Sequence, residues 1–294
     1  MINIDQHLER EKEKINRALE QRLSHLVPSA VTDAMRYSLE AGGKRLRPIL
    51  TLAAARTLGS EDDSVIDVAC ALEFIHTYSL IHDDLPAMDD SEIRRGKPTC
   101  HCVYGDALAI LAGDGLLTLA FETLANYGSR DGCESRAIRI IAEISKSAGV
   151  NGMIGGQALD LGAEGRELSL TEIEQISLLK TGALLKASVV CGGIAANATQ
   201  PQLKALACYA SCLGNAFQII DDLLDYESTT EELGKPAGAD QVRLKANYPA
   251  LLGPEKARAR AEALYSESLA ALDNLDCPAA DLKEIAKILV YRKK

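Results

Sequence analysis

An all-α fold, a large helical bundle, is what this sequence predicts, and two observations carry that prediction. Apolar residues recur at helical spacing in nearly every segment, and convincing alternating strands are absent. The helical segments are also long enough to pack against one another as a bundle. No GxGxxG follows a strand and no GxxxxGK[ST] occurs, so the common nucleotide-binding folds lack support.

Residues 5–25 predict an amphipathic first helix, with Leu8, Ile15, Leu19, Leu23 and Leu26 along one side and charged residues opposite. A second helix over 29–41 stops at Gly42-Gly43. After the basic turn KRLR, Pro48 suits an early position in a helix running to Leu58. Residues 63–84 form the next helix. Residues 104–127 are apolar almost all round, which predicts a buried central helix. Further helices are expected at 134–148, 150–162, 171–198, 201–226, 254–273 and 279–291. No linker or composition shift divides the chain, so residues 1–294 read as a single domain.

Charge narrows the function. A net charge of −10 argues against a nucleic-acid surface, and no basic stripe is interleaved with aromatics. Eight cysteines are too sparse for a disulfide scaffold. Cys100-His101-Cys102 lacks a second pair at zinc-finger spacing. The N-terminus has charges of both signs and no signal-peptide core, and no apolar run reads as membrane-spanning. A cytoplasmic location is therefore expected.

The chain's most informative stretch runs from Glu73 to Pro98. An apolar helix pattern leads into Asp83, Asp84, Asp89 and Asp90, followed at once by Arg94 and Arg95. Carboxylates this close repel one another unless cations hold them, and Mg²⁺ commonly shares one or two carboxylates with substrate phosphates. Pro86 cannot continue the helix, and a bend there brings Asp89 back towards Asp83. A solvated acidic helix end would use the same residues. What separates the readings is a second cluster, FQIIDDLLD, in which Asp221 and Asp225 share a helix face with Asp222 alongside. Two such helix ends facing each other would clamp one polyphosphate through Mg²⁺.

Basic groups accompany the clusters. GGKRLRP supplies Lys44, Arg45 and Arg47 before a helix, a suitable phosphate cradle. His76 lies two turns before Asp83 on roughly the same face. Lys180-Thr181-Gly182 interrupts a long helix, where a bend would turn a carbonyl oxygen towards a cation. Lys235 follows the second cluster, and Gln157 and Asp160 in GGQALDL are candidates for supporting roles.

Together these motifs, from GGKRLRP to the C-terminus, resemble the trans-isoprenyl diphosphate synthases, most closely the bacterial short-chain enzymes that make farnesyl diphosphate. DDLPAMD resembles the family's first aspartate-rich motif with its two-residue insertion, and FQIIDDLLD the second. RRGKPT, KTG, GGQ and GK fall in the family's order. The resemblance implies an isoprenoid-synthase bundle of about ten or more helices around a deep central cavity. It also implies a homodimer using Mg²⁺, with three ions in the closed complex.

It further implies that Asp83, Asp89 and Asp221 ligate Mg²⁺, with Asp84, Asp222 and Asp225 ligating or supporting. Arg94, Lys180 and Lys235 would hold the allylic diphosphate. Lys44, Arg47, His76 and Arg95 would hold isopentenyl diphosphate, with Arg292 helping to close that site. Thr181, Gln218 and the Lys180 carbonyl would face the allylic cation. Tyr78, with Ser79 beside it, lies five residues before Asp83, about 7.5 Å down the helix, where a floor would limit the product to fifteen carbons. A geranylgeranyl diphosphate synthase is the alternative within the class, and a non-catalytic partner subunit is the alternative outside it. Two departures stand out: Asn247 where the family has Thr, and Ser91 where another acidic residue is common.

Overall fold

The computed structural model describes residues 4–163, 165–227 and 247–292. Helix dominates, as the periodicity predicts, and no element boundary contradicts the fold class. The elements are α1 (Ile4–Leu23), α2 (Ala30–Glu40), α3 (Leu46–Thr57) and α4 (Val65–Asp83), then α5 (Cys100–Tyr104), α6 (Asp106–Gly128), α7 (Glu134–Ala148) and α8 (Met153–Gly162). They continue with α9 (Leu170–Ser177), a π-helical turn (Leu178–Gly182), α10 (Ala183–Ala195) and α11 (Gln200–Glu227). The last three are α12 (Tyr248–Leu252), α13 (Pro254–Leu272) and α14 (Ala280–Tyr291). One feature escaped the sequence: Ile93–Arg94 (β1) pairs antiparallel with Lys97–Pro98 (β2).

Helix starts follow from local chemistry. Ser29 and Thr32 form a capping box on α2, and Ser169 and Glu172 do the same on α9. Asn247 caps α12, its Oδ1 accepting from the amide of Ala250 at 3.0 Å. Asn and Thr are both good N-cap residues.

The chain divides into two compact units, Met1–Leu52 with Glu61–Ile141, and Ala53–Ser60 with Ala142–Lys294. In the first, α4 packs along α6, and α1 and α2 flank them. Arg22 and Arg130 both pair with Asp67 near the start of α4. In the second, α11 packs along α13 and α10. Behind its acidic end lie Ile219, Ile220, Leu223, Tyr248, Ala261 and Val290. The Tyr209 hydroxyl donates to the Leu282 carbonyl at 2.7 Å and ties α11 to α14.

Two expectations need correction. Helix α6 is buried on one face only, because Ile110 and Leu111 on its other face are 45% and 50% exposed. Among the described residues, four helical stretches also reach a membrane span in length and hydropathy: Val65–Asp83, Asp106–Gly128, Leu170–Ala195 and Gln200–Glu227. The sequence pattern alone predicts none. Much of their apolar surface packs inside the protein, 72% of the window in α4 and 67% in Leu170–Ala195.

Candidate active site

The first unit gathers the acidic loop and the basic turn around the C-terminal half of α4. Helix α4 ends at Asp83, where Pro86 forbids continuation, and the chain folds back. The Asp89 amide donates to the Asp83 carbonyl at 2.9 Å, so the expected return of Asp89 to Asp83 is present. The Ser91 amide closes on the Asp84 carbonyl at 3.1 Å.

The two adjacent aspartates then diverge. Asp84 is buried and takes a two-pronged ion pair from Arg94, with Nε at 2.8 Å and Nη2 at 2.7 Å. Burial pushes its carboxyl above the usual range, and the Arg94 fork pulls it part of the way back. Asp83 stays more open, its side chain 15% exposed and its Oδ2 3.8 Å from Arg94 Nη2. Asp84 is thus the carboxylate that Arg94 holds most closely.

The basic turn is anchored from below. Arg45, at φ 49°, sends its guanidinium inward to Glu73 at 2.8 Å and Asn16 at 2.8 Å. That buried pair fixes the turn between Lys44 and Arg47. Arg95 donates to the Gly42 carbonyl and lies directly over Gly43, where a Cβ would stand 2.6 Å from its Nη1. Only glycine permits this approach. His76 shares this neighbourhood: loss of water around its ring, then Arg47, Arg95, Arg94 and Arg45, hold its pKa well below the ordinary histidine value. A neutral imidazole among arginines offers one N–H to an anion.

The second unit carries the second acidic motif. On α11, Asp221 is open, its side chain 45% exposed, while Asp222 and Asp225 are buried. Asp222 accepts from Gln218 Nε2 at 2.9 Å and from the Tyr248 amide at 3.2 Å, tying α11 to α12. The inner aspartate of each pair is thus the more buried of the two and is engaged by neighbouring protein groups. Arg292 reaches back to pair with Asp221 and sits over the Phe217 ring at 4.2 Å.

Lys180 and Thr181 lie in the π-helical turn, so the expected irregularity at Lys-Thr-Gly is there. Such turns widen the helix by one residue and cluster at functional sites. Lys180 Nζ pairs with Asp160 at 2.7 Å. Gly156 on α8 allows the approach, since a Cβ there would meet the Lys180 amide nitrogen at 2.2 Å. Lys235 lies outside the described residues.

On α4, Tyr78 is buried, and the Ser79 hydroxyl donates to the His76 carbonyl at 2.8 Å. His82, which no sequence motif singles out, packs its ring edge-on against Tyr78 at 5.8 Å. The i, i+4 spacing of two aromatic rings was the available signal.

The fold and paired aspartate motifs define an all-α prenyltransferase. A polyprenyl synthetase family model matches residues 28–286, and the chain belongs to that family. It is 44% identical over 292 residues to the farnesyl diphosphate synthase of Geobacillus stearothermophilus, covering 99% of this chain and 98% of that one. It is 43% identical over 286 residues to a chloroplastic heterodimeric geranylgeranyl pyrophosphate synthase large subunit of Arabidopsis thaliana, covering 96% and 77% respectively. An apo FPP/GFPP synthase structure from Zymomonas mobilis superposes with a TM-score of 0.86 at 36% identity, covering 98% of this chain and 99% of that one.

Enzymes of this family generally use Mg²⁺. Among the described residues, no three His, Cys, Asp or Glu side chains converge as a metal cage. Mg²⁺ does not need one, because it keeps waters and takes substrate phosphates as ligands. The hard oxygen donors of Asp83, Asp89 and Asp221 fit that chemistry.

Proposed function

We propose that the chain condenses isopentenyl diphosphate with dimethylallyl and then geranyl diphosphate to give farnesyl diphosphate. The observation that carries this is the first unit's grouping of neutral His76 with Arg47, Arg95 and Arg94 beside the Asp83–Asp89 loop. It supports one phosphate site next to one metal-dependent diphosphate site.

In this reading Lys44, Arg47, His76 and Arg95 hold isopentenyl diphosphate through charge-assisted hydrogen bonds. Arg94, Lys180 and Lys235 bind the allylic diphosphate, with Arg94 kept in place by Asp84. Asp83, Asp89 and Asp221 would hold Mg²⁺, three ions in the closed complex, with Asp84, Asp222 and Asp225 ligating or supporting. When bound, Mg²⁺ neutralises charge developing on the leaving diphosphate. The Lys180 carbonyl, Thr181 and Gln218 turn oxygen atoms towards the allylic cation. Holding the isopentenyl double bond beside that cation makes the condensation effectively unimolecular. The departing diphosphate takes the final proton, so no side chain serves as a dedicated base.

We also propose that residues 1–294 act as one domain, which the single family match across 28–286 supports. The exposed apolar face of α6, with Val27 81% exposed nearby, supports a homodimer. Internal burial of α4 and of Leu170–Ala195 supports a cytoplasmic enzyme without a membrane span.

A twenty-carbon product is the second reading, favoured by the likeness to the Arabidopsis protein. Incubation with Mg²⁺, dimethylallyl diphosphate and isopentenyl diphosphate, followed by product chromatography, decides between them. Fifteen-carbon product is expected; mainly twenty-carbon product would select the second reading, and no condensation would reject both.

A further inference from the structure

The floor assigned to Tyr78 has no polar anchor. Its ring is 5% exposed, and its hydroxyl is buried without a hydrogen-bond partner. Such an O–H gains nothing by staying where it is, because an acceptor elsewhere would serve it better. Something else must hold the ring.

His82 is placed to do so. It lies one turn further along α4, and its ring meets that of Tyr78 edge-to-face, 5.8 Å between centroids at 79°. This is a favoured aromatic geometry. His82 is itself fixed from α6. Its Nε2 lies 3.0 Å from the Ile110 carbonyl, one turn before Gly113. Since a carbonyl only accepts, Nε2 carries the proton. The ring edge covers Gly113 so closely that a Cβ there would stand 2.1 Å from Nε2 and 2.5 Å from Cδ2. The absence of a side chain at Gly113 is what gives His82 its seat.

We propose that His82, seated on Gly113, is a positioning residue for product length. It acts through Tyr78 and rests on the reading of Tyr78 as the floor. Without the imidazole, Tyr78 turns into the vacated space, where the Ile110 carbonyl becomes an acceptor for its hydroxyl. The floor then drops, and a longer chain fits.

The test compares product length from the full-length protein carrying Tyr78→Ala, His82→Ala, His82→Gln, Gly113→Ala or the His82→Ala/Gly113→Ala pair. His82→Ala should raise the twenty- to fifteen-carbon ratio roughly three- to tenfold, the weight of one aromatic pair. Gly113→Ala should do the same by displacing the imidazole, and the double variant should add nothing to His82→Ala. His82→Gln keeps an N–H for Ile110 but no ring, so it should behave like His82→Ala. This separates ring contact from a general tie between α4 and α6. If Gly113→Ala does not fold, the two His82 variants decide alone. Longer products from Tyr78→Ala with unchanged products from both His82 variants would overturn the inference and leave the floor reading standing. Unchanged products from Tyr78→Ala would overturn both.

Discussion

Arg292, the last described residue, pairs through Nη2 with Oδ1 of Asp221, across 71 residues of sequence. Its side chain is only 6% exposed, and Nε and Nη1 are buried without partners. A guanidinium therefore occupies the open carboxylate of the second motif, where the family reading puts a metal ion. On that reading, Arg292 and a bound Mg²⁺ would compete for one oxygen.

Replacing Arg292 with Ala should accordingly tighten Mg²⁺ binding in the presence of inorganic diphosphate, by about three- to tenfold, as one partly exposed ion pair warrants. Isothermal titration calorimetry measures this directly. Weaker or unchanged Mg²⁺ binding would show that Arg292 does not compete at Asp221.

The outer and inner aspartates should fail differently. Asp83→Ala and Asp221→Ala should lower turnover about a hundredfold or more, because each removes a carboxylate proposed to hold the Mg²⁺ that offsets charge on the leaving diphosphate. Their thermal stability should change little. Asp84→Asn should instead cost about 2 kcal/mol of stability, since it strips the partner from the partly buried Arg94. Denaturation midpoints and turnover for these variants check the contrast. Equal stability losses at Asp83 and Asp84 would erase the distinction.

The two phosphate sites should separate kinetically. Arg47→Gln or His76→Gln should raise KM for isopentenyl diphosphate several-fold more than KM for the allylic substrate. Arg94→Gln should do the opposite. Parallel shifts for both substrates in all three variants would reject the assignment.

Acid should expose His76. The fold holds this histidine neutral well below its ordinary pKa, while the unfolded chain takes up a proton below about pH 6.5. The unfolded state then binds more protons, so stability falls as pH drops through and below that value. Above it, both states are neutral and the effect vanishes. At pH 5.5 the loss is about 1 kcal/mol, and His76→Gln should abolish it. Urea unfolding of both proteins at pH 7.5 and 5.5 provides the measurement, and an unchanged pH dependence in His76→Gln would exclude His76 as its source.

Much of this protein is written locally in its sequence. Helical periodicity predicts the longer helices, though not the short α5 and α12, because it depends only on neighbours three and four residues away. The acidic motifs are legible for the same reason, as is the turn at Pro86 that returns Asp89 to Asp83. The sequence even marks the π-helical turn, through Thr181 and Gly182. Partner choice is different. Nothing nearby in sequence says that Arg45 turns inward to Glu73, that Arg94 takes Asp84 rather than Asp83, or that Arg292 reaches Asp221. Nor does the apolar pattern of α6 reveal that Ile110 and Leu111 stay uncovered among the described residues. A charge can pair with any opposite charge that packing brings within reach, and an apolar face is buried only if another element arrives. Side-chain spacing determined which groups share a face; the tertiary structure alone decided which groups each face meets.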